Sequence, residues 1–387
     1  MRSTVPTAVA PRTPSPRDAV IVGAFNTRQA RRLEGETSDS VTLAAIKGAL
    51  ADAGVALSEV DGLNILPGLD PNGTRTYGYL LDIPYFWVGR AAPGPPGVLE
   101  AATAIEAGVC DTVVLAAGEA GLHTDRSTVA PWTRPSNEFI ECWGLMTPAE
   151  FALAAQEYMA RFSVDPRKIA HIAAVIRNNG SRNPEAVYHG KGPFTADDVL
   201  ASRMIAEPYH LLDCATTAEG GSALVLTTAE RARDLDVPAI RVLGGGSESW
   251  GPSYTHPPTY DRTGMLGRAA ADRAFARAGL DRSDVDVFEL YDNFSWEIVR
   301  YFEAFRYCEV GEGPDFVAGG AIEVGGRYPI VTDGGTMSHS HTGESQRHQR
   351  VVQAVRQLRG TSAANQVADA RVALVAVLGD VVLLGRD

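Results

Sequence analysis

Residues 49–61 read Ala-Leu-Ala-Asp-Ala-Gly-Val-Ala-Leu-Ser-Glu-Val-Asp, and residues 274–286 read Ala-Phe-Ala-Arg-Ala-Gly-Leu-Asp-Arg-Ser-Asp-Val-Asp. Seven positions agree in one ungapped register, 225 residues apart: Ala49/Ala274, Ala51/Ala276, Ala53/Ala278, Gly54/Gly279, Ser58/Ser283, Val60/Val285 and Asp61/Asp286. Each copy carries alanines that favour a helix, a glycine that stops it, and a turn into an apolar strand. The copies lie too far apart for stacked repeats. They predict two similar α/β halves in one chain, related by a pseudo-two-fold axis.

Outward from the first copy, Asp18–Gly23 reads as an opening strand and Ser38–Ala53 as a helix. The copy itself then runs into a second strand toward Ile65. Tyr79–Gly97 is rich in aromatics, Gly and Pro and reads as a loop, Val98–Ala107 as a helix, and Asp111–Gly118 as a buried strand. From about 120 to 205 the alternation breaks. This region holds Trp132, Trp143 and two helix patterns, Pro148–Phe162 and Pro166–Asn178, which suits an inserted lid or pocket-lining subdomain. Strands resume at Ser222–Thr227 and Ala239–Leu243. Outward from the second copy come the strand Val285–Leu290, a helix at Trp296–Phe305 and the segment Tyr328–Val331. The loop Asp333–Gly343, a helix at Glu344–Leu358 and two strands, Arg371–Leu378 and Val381–Leu384, complete the chain. The expected organisation is a disordered arm (1–17), a first half (18–235) with the insertion, and a second half (236–387).

The 387 residues suffice for two core-forming units. A net charge of -12 argues against a nucleic-acid binder, which would show a basic face. No apolar run approaches a membrane span, and the Pro/Ser/Thr/Arg-rich start lacks the apolar core of a secretory signal. Four cysteines (Cys110, Cys142, Cys214, Cys308) form no close pair, as expected of a reduced, cytoplasmic protein.

Chemistry gathers at two stretches. Glu289-Leu-Tyr-Asp-Asn-Phe-Ser295 ends the strand of the second half, and strand ends of an open α/β sheet face the ligand crevice. There Tyr291 can donate a hydrogen bond or shuttle a proton, with Asp292 and Asn293 beside it to orient the reacting groups. Asp333-Gly-Gly-Thr-Met-Ser-His-Ser-His-Thr-Gly343 is the second stretch. Its His341 arrives just before a helix start, where an imidazole can polarise a carbonyl. His339, two residues earlier, is expected to face the other side. A metal reading of His339, His341 and His348 lacks a matching fourth ligand. Leu243-Gly-Gly-Gly-Ser-Glu-Ser249 reads as a glycine-rich loop that matches no phosphate fingerprint. Gly244, Gly245 and Gly246 are expected to form a bulge or a tunnel wall. With His339 and Ser340 they are the candidate substrate contacts. Cys214, with no activating partner in view, reads as a small buried hydrophobe.

At these residues the chain resembles the thiolase superfamily, most closely the sterol-carrier-protein-2-type thiolases and the bacterial lipid-transfer proteins. The resemblance runs from about Ala19 to Leu384. It rests on the opening strand, the repeated helix end, Glu106-Ala-Gly108, Leu212-Asp-Cys214, Glu219-Gly-Gly-Ser-Ala223, Glu289–Ser295, Gly334–Gly343 and the helix Val351–Gly360. It implies an α/β thiolase fold: duplicated αβαβα halves in five layers, with a loop domain inserted in the first half, in a protein that is usually a dimer.

The departures from that family point to the function. Its acylated cysteine corresponds to about Ala91, and a methyl group accepts no acyl chain. Its second cysteine, from a Cys-x-Gly motif, is missing from Val377-Leu-Gly-Asp380. Tyr291 replaces the histidine of the family's His-Asp-Cys-Phe pattern, while His341 matches the histidine of its Gly-His-Pro motif. Claisen chemistry through a cysteine thioester is therefore not available. The pattern is similar to the steroid side-chain-cleaving aldolases, which lack the cysteines and carry a tyrosine at the Tyr291 position. That likeness implies retro-aldol cleavage of a β-hydroxyacyl-CoA with a steroid-like or other bulky acyl chain. It also implies a small OB-fold/zinc-ribbon partner of the DUF35 type. No cofactor is expected in this chain, the zinc belonging to the partner. The alternatives are a cysteine-less acyltransferase or condensing enzyme of the same fold, and a non-catalytic lipid-binding or scaffolding subunit. The pairing of Tyr291 with His341 favours an enzyme.

Overall fold

Gly54 and Gly279, the paired glycines of the repeat, each close a helix in the left-handed region, at φ 65°, ψ 26° and φ 66°, ψ 31°. A residue without Cβ is unstrained there. The repeated aspartates also do the same work in both copies. The Asp61 carboxylate accepts the amides of Asp111 (3.0 Å) and Thr112 (2.8 Å). The Asp286 carboxylate accepts those of Arg371 (2.8 Å) and Val372 (3.0 Å). Each ties the start of one strand to the start of its parallel neighbour.

The computed structural model describes residues 15–67, 74–121, 147–250 and 259–386. In chain order the elements begin with β1 (Ala19–Asn26), α1 (Ser38–Ala53), β2 (Gly62–Pro67), α2 (Thr74–Leu81), β3 (Trp87–Val88), α3 (Pro95–Glu106) and β4 (Thr112–Glu119). Then come α4 (Thr147–Phe162), α5 (Pro166–Arg182), α6 (Ala196–Ala201), β5 (Met204–Ala206) and β6 (Tyr209–His210). β7 (Gly220–Thr228) and α7 (Ala229–Ala232) lead to β8 (Ile240–Ser247), α8 (Arg268–Ala278), β9 (Val287–Leu290), α9 (Trp296–Ala304) and α10 (Gly313–Phe316). The chain ends with α11 (Ser345–Arg359), β10 (Val372–Val377) and β11 (Asp380–Gly385).

Nine strands run in the order β3-β2-β4-β7-β1-β8-β11-β10-β9. The two halves share one plan. β1 pairs with β7, followed by β4, β2 and β3; β8 pairs with β11, followed by β10 and β9, and then by a single bridge from Phe288 to Ile330. Among the described residues the two halves of the sheet are joined by one short pairing, Val20–Arg241 and Ile21–Ile240. α11 packs mainly on β7 of one half and β10 of the other, and barely on the β8 and β11 that separate them. The sheet must therefore fold over at the β1–β8 seam, with α11 and α3 between its halves.

The core residues agree. Ala19, Ile21, Leu224, Leu226, Val375 and Val382 share one cluster with Ala101, Ile105, Val351 and Val355 of the two central helices. Val20, Val22 and Val225 face α1 on one outer side, while Phe288, Leu290 and Leu374 face α8 and α9 on the other. Strands buried on both faces explain the near-continuous apolar runs. The result is the expected five layers, α/β/α/β/α. α4, α5, α6, β5 and β6 are inserted between β4 and β7, and α5 packs on the 335–339 segment.

Three expectations need correction. Tyr79–Gly97 is not all loop: it holds the end of α2 and the two-residue edge strand β3, too short to leave a periodic signature. The glycine-rich 243–249 segment is mostly strand, with the expected bulge at its start, where Leu243 falls between the partners of Leu383 and Leu384, and the backbone of α8 approaches it closely. A Cβ on Gly244 would lie 2.5 Å from the Ala274 carbonyl oxygen, and one on Gly246 would lie 2.8 Å from that of Ala270. The arm does not extend through Arg17, whose guanidinium donates to Ile105 O (2.7 Å) and pairs with Asp111 (2.8 Å). The rest of the arm (1–14), and Trp132, Cys142 and Trp143, lie outside the described residues. Among the described residues no helix is long and apolar enough to cross a membrane.

Candidate active site

Tyr291 lies one residue beyond β9, and its amide donates to Ala376 O (2.9 Å), so it keeps the strand's register. The chain then turns, and Asp292 points inward. It is fully buried and accepts the amides of Thr336 (2.7 Å) and Met337 (3.0 Å). Burial pushes its carboxyl pKa up, opposed by the charge of Arg350 and these two amides. Asp292 thus grips the second stretch from inside.

That stretch forms a wide turn over Gly335–His339, closed by Ser338 N to Gly334 O (2.8 Å) and Ser340 N to Gly335 O (3.0 Å). Gly335 sits at φ 56°, and a Cβ there would lie 2.2 Å from an Asp292 oxygen. Only glycine lets the loop close on the carboxylate. Beyond the turn, His341 joins an extended segment of the insertion: its amide donates to Thr216 O (2.8 Å), and its carbonyl accepts from Ala218 N (2.9 Å). Two elements from distant parts of the chain so bring the Tyr291 hydroxyl within 3.3 Å of His341 Nε2. Both side chains are half-buried. One group can pass a proton to the other, in a direction set by the imidazole tautomer.

The other candidates fall elsewhere. Asp292 orients the His341 loop, not the reacting side chains directly. Asn293 gives its carbonyl to Ala215 N (3.0 Å), and its side-chain oxygen is buried without a partner. His339 and Ser340 are fully buried and so are not substrate or CoA contacts. The His339 imidazole meets Asp333 (2.8 Å), and the Ser340 hydroxyl meets Gln29 and Gln349. Asp333 in turn pairs with Arg350 (2.7 Å), which also reaches Glu289 (3.2 Å). Burial, aided by the Asp333 charge, raises the Glu289 carboxyl to about 8, while Arg350 and His339 hold that of Asp333 below the usual range despite its burial. Gly244, Gly245 and Gly246 pair with β11 and pack closely on α8 and α3.

Ala91 lies four residues before α3, where its amide donates to Glu100 (2.8 Å). The first amide ahead of α11, that of Glu344, donates to Glu119 (2.9 Å). That helix start is therefore occupied by a carboxylate. Among the described residues no trio of His, Cys, Asp or Glu is placed to hold a metal ion. His348, the third member of the metal reading, instead accepts from Gly94 N (3.1 Å). Cys214 turns its thiol to His210 O (3.3 Å), and burial, with Asp213 nearby, pushes its pKa up to about 12. Cys142 is outside the described residues.

Sequence reasoning missed the insertion's contribution. Arg177 of α5 is buried and donates to Leu212 O (3.0 Å), Cys214 O (2.7 Å) and Met337 O, stapling the 211–216 segment to the His341 loop. Tyr188 lies over that guanidinium, 4.4 Å from ring centre to Cζ, and its amide donates to Ser338 O (3.2 Å). The one signal for this was the polar run Arg177-Asn-Asn179 inside an otherwise amphipathic helix.

Known proteins resemble the chain along most of its length. Residues 248–383 match the thiolase C-terminal domain-like family. The chain is 32% identical to a steroid side-chain-cleaving aldolase of Thermomonospora curvata, over 93% of this chain and 95% of that protein. It is 34% identical to a 17-hydroxy-3-oxo-4-pregnene-20-carboxyl-CoA lyase of Mycobacterium tuberculosis, over 89% and 92%. The solved structure of an Ltp2-ChsH2(DUF35) aldolase superposes with a TM-score of 0.83 at 28% identity, covering 96% of this chain and 98% of that one. The duplicated five-layered fold and these likenesses lead to one conclusion: the chain belongs to the thiolase superfamily, in the branch of the steroid side-chain-cleaving aldolases.

Proposed function

We propose that this chain is a carbon–carbon lyase that cleaves a β-hydroxyacyl-CoA, with a steroid-like or other bulky acyl chain, by retro-aldol chemistry. The observation that carries the reading is the 3.3 Å approach of the Tyr291 hydroxyl to His341 Nε2, in a chain that carries Ala91 where the family's acylated cysteine would stand.

In this reading the β-hydroxyl loses its proton to the Tyr291–His341 pair. The Cα–Cβ bond breaks and its electrons move into the thioester carbonyl. A ketone or aldehyde leaves, and the enolate takes a proton at Cα to give the shortened acyl-CoA. Tyr291 handles the hydroxyl proton, and His341 donates to the enolate oxygen.

The likeness to the Ltp2-ChsH2(DUF35) aldolase supports a DUF35 partner. The edge strand β3, preceded by the exposed Phe86 (77%), supports a homodimer, because pairing two such edges covers both. The free Cys110, Cys214 and Cys308 fit a cytoplasmic setting. The test is to incubate the chain and its partner with β-hydroxyacyl-CoA candidates and look for the shortened acyl-CoA. Release of the matching ketone or aldehyde in equal amount is the expected result. Release of free CoA alone would point to hydrolysis and overturn the reading.

A further inference from the structure

Arg31 and Lys191 are exposed cations that, among the described residues, form no ion pair. Elsewhere on this acidic chain many cations have a carboxylate partner, as in Arg161–Asp261, Lys168–Asp315 and Arg356–Glu185. Both unpaired cations lie next to the candidate active site. Arg31 Nη1 donates to Thr217 O (3.4 Å), and Thr217 is bridged to His341. Lys191 Nζ sits 4.4 Å from the ring centre of Tyr188, whose amide is fastened to the His341 loop. The buried Arg177 adds a third positive charge against the same ring. Burial would raise the Tyr188 pKa, yet Arg177, the Thr216 hydroxyl, Arg31 and Lys191 together lower it. That direction reports a positive potential at this spot, on a chain whose net charge of -12 would otherwise repel a polyanion.

We infer that Arg31 and Lys191 hold the phosphate-bearing end of the CoA thioester at the rim of the active site, near Tyr188. The inference rests on the thioester reading above. It gives the CoA phosphates charged partners, which the side-chain-less Gly244–Gly246 and the buried His339 and Ser340 do not offer. Guanidinium and ammonium groups on long stems suit phosphates that arrive from solvent, while the uncharged pantetheine arm runs inward to His341.

The test is calorimetric titration of the full chain with CoA, dephospho-CoA and pantetheine, and it needs no turnover. The wild type is expected to prefer CoA to pantetheine at least about tenfold, with a preference that shrinks as salt is raised. Arg31→Ala/Lys191→Ala is expected to lose about tenfold in CoA affinity and most of that preference. Dephospho-CoA separates the 3′-phosphate from the diphosphate as the group held. A wild type that binds CoA no better than pantetheine overturns the proposal. So does a double variant that keeps wild-type CoA affinity, or one that loses both ligands in equal proportion. Substrate cleavage alongside unchanged CoA affinity in the variant would sink this inference alone and leave the lyase reading intact.

Discussion

Gly335→Ala is expected to dislodge the loop that carries His341. Two costs follow from its position. The residue sits at φ 56°, where a side chain costs about 1–2 kcal/mol. The new Cβ would also meet the Asp292 oxygens at 2.2 and 2.4 Å and the Val331 side chain at 2.3 Å. To relieve that clash Asp292 must give up at least one of its two amide bonds, each worth about 1.5–3 kcal/mol as a bond to a charged group. Together these come to about 3–5 kcal/mol, a large share of the roughly 5–15 kcal/mol that holds a typical protein folded. Thermal unfolding followed by circular dichroism should show a midpoint lower by about 4–6 °C, and turnover should fall further as His341 moves off Tyr291. Gly325→Ala is the control: nothing lies within 4 Å of the added methyl group, so its effect should stay within about 0.5 kcal/mol. A Gly335→Ala protein with the parent's unfolding midpoint and turnover would refute the reasoning.

Two further predictions rest on single side chains. Cys214 keeps its proton at neutral pH, because burial and Asp213 push its pKa up to about 12. Cys214→Ala and alkylation with iodoacetamide should therefore each leave turnover within about twofold; inactivation by either would put sulfur back into the mechanism. Burial, together with the nearby Arg347 charge, lowers the His348 pKa from 6.5 to about 3, so the folded protein holds the neutral ring, which accepts from Gly94 N. The stability this gives is present above pH 6.5 and is lost as the pH falls toward 3. At pH 5 the loss is about 2 kcal/mol, from 1.5 pH units at 1.36 kcal/mol each. Urea unfolding at pH 7 and pH 5 measures it, and His348→Gln should remove that part of the slope; an unchanged slope counts against the assignment.

What could be read from the sequence divides along physical lines. α1 was legible to the residue because its ends are locally encoded: the Thr37 side chain accepts Ser40 N (3.1 Å), and Gly54 stops the helix. Both copies of the repeat kept their aspartates for one local reason, the amides at the start of the neighbouring strand. Tyr291 and His341 were legible because each follows a strand or glycine signal that fixes where the backbone goes. Their neighbours were not. Asp292, His339 and Ser340 sit one or two residues away, but in so tight a turn the side chains diverge, and only the packing of α5 and α11 decides which become buried. The glycines of β8 misled for a related reason: their cause is the backbone of α8, invisible until the helix is docked. Tyr188 lies about 150 residues from His341 and reaches it through Ser338 and Thr216, a long-range meeting with no local mark.

The measurement closest to the central claim is single-turnover cleavage of a β-hydroxyacyl-CoA by the Tyr291→Phe protein. Phenylalanine keeps the ring and removes only the hydroxyl that lies 3.3 Å from His341 Nε2. The cleavage rate should fall by about 100-fold or more, while substrate affinity stays near that of the parent. A cleavage rate within about threefold of the parent would contradict the account.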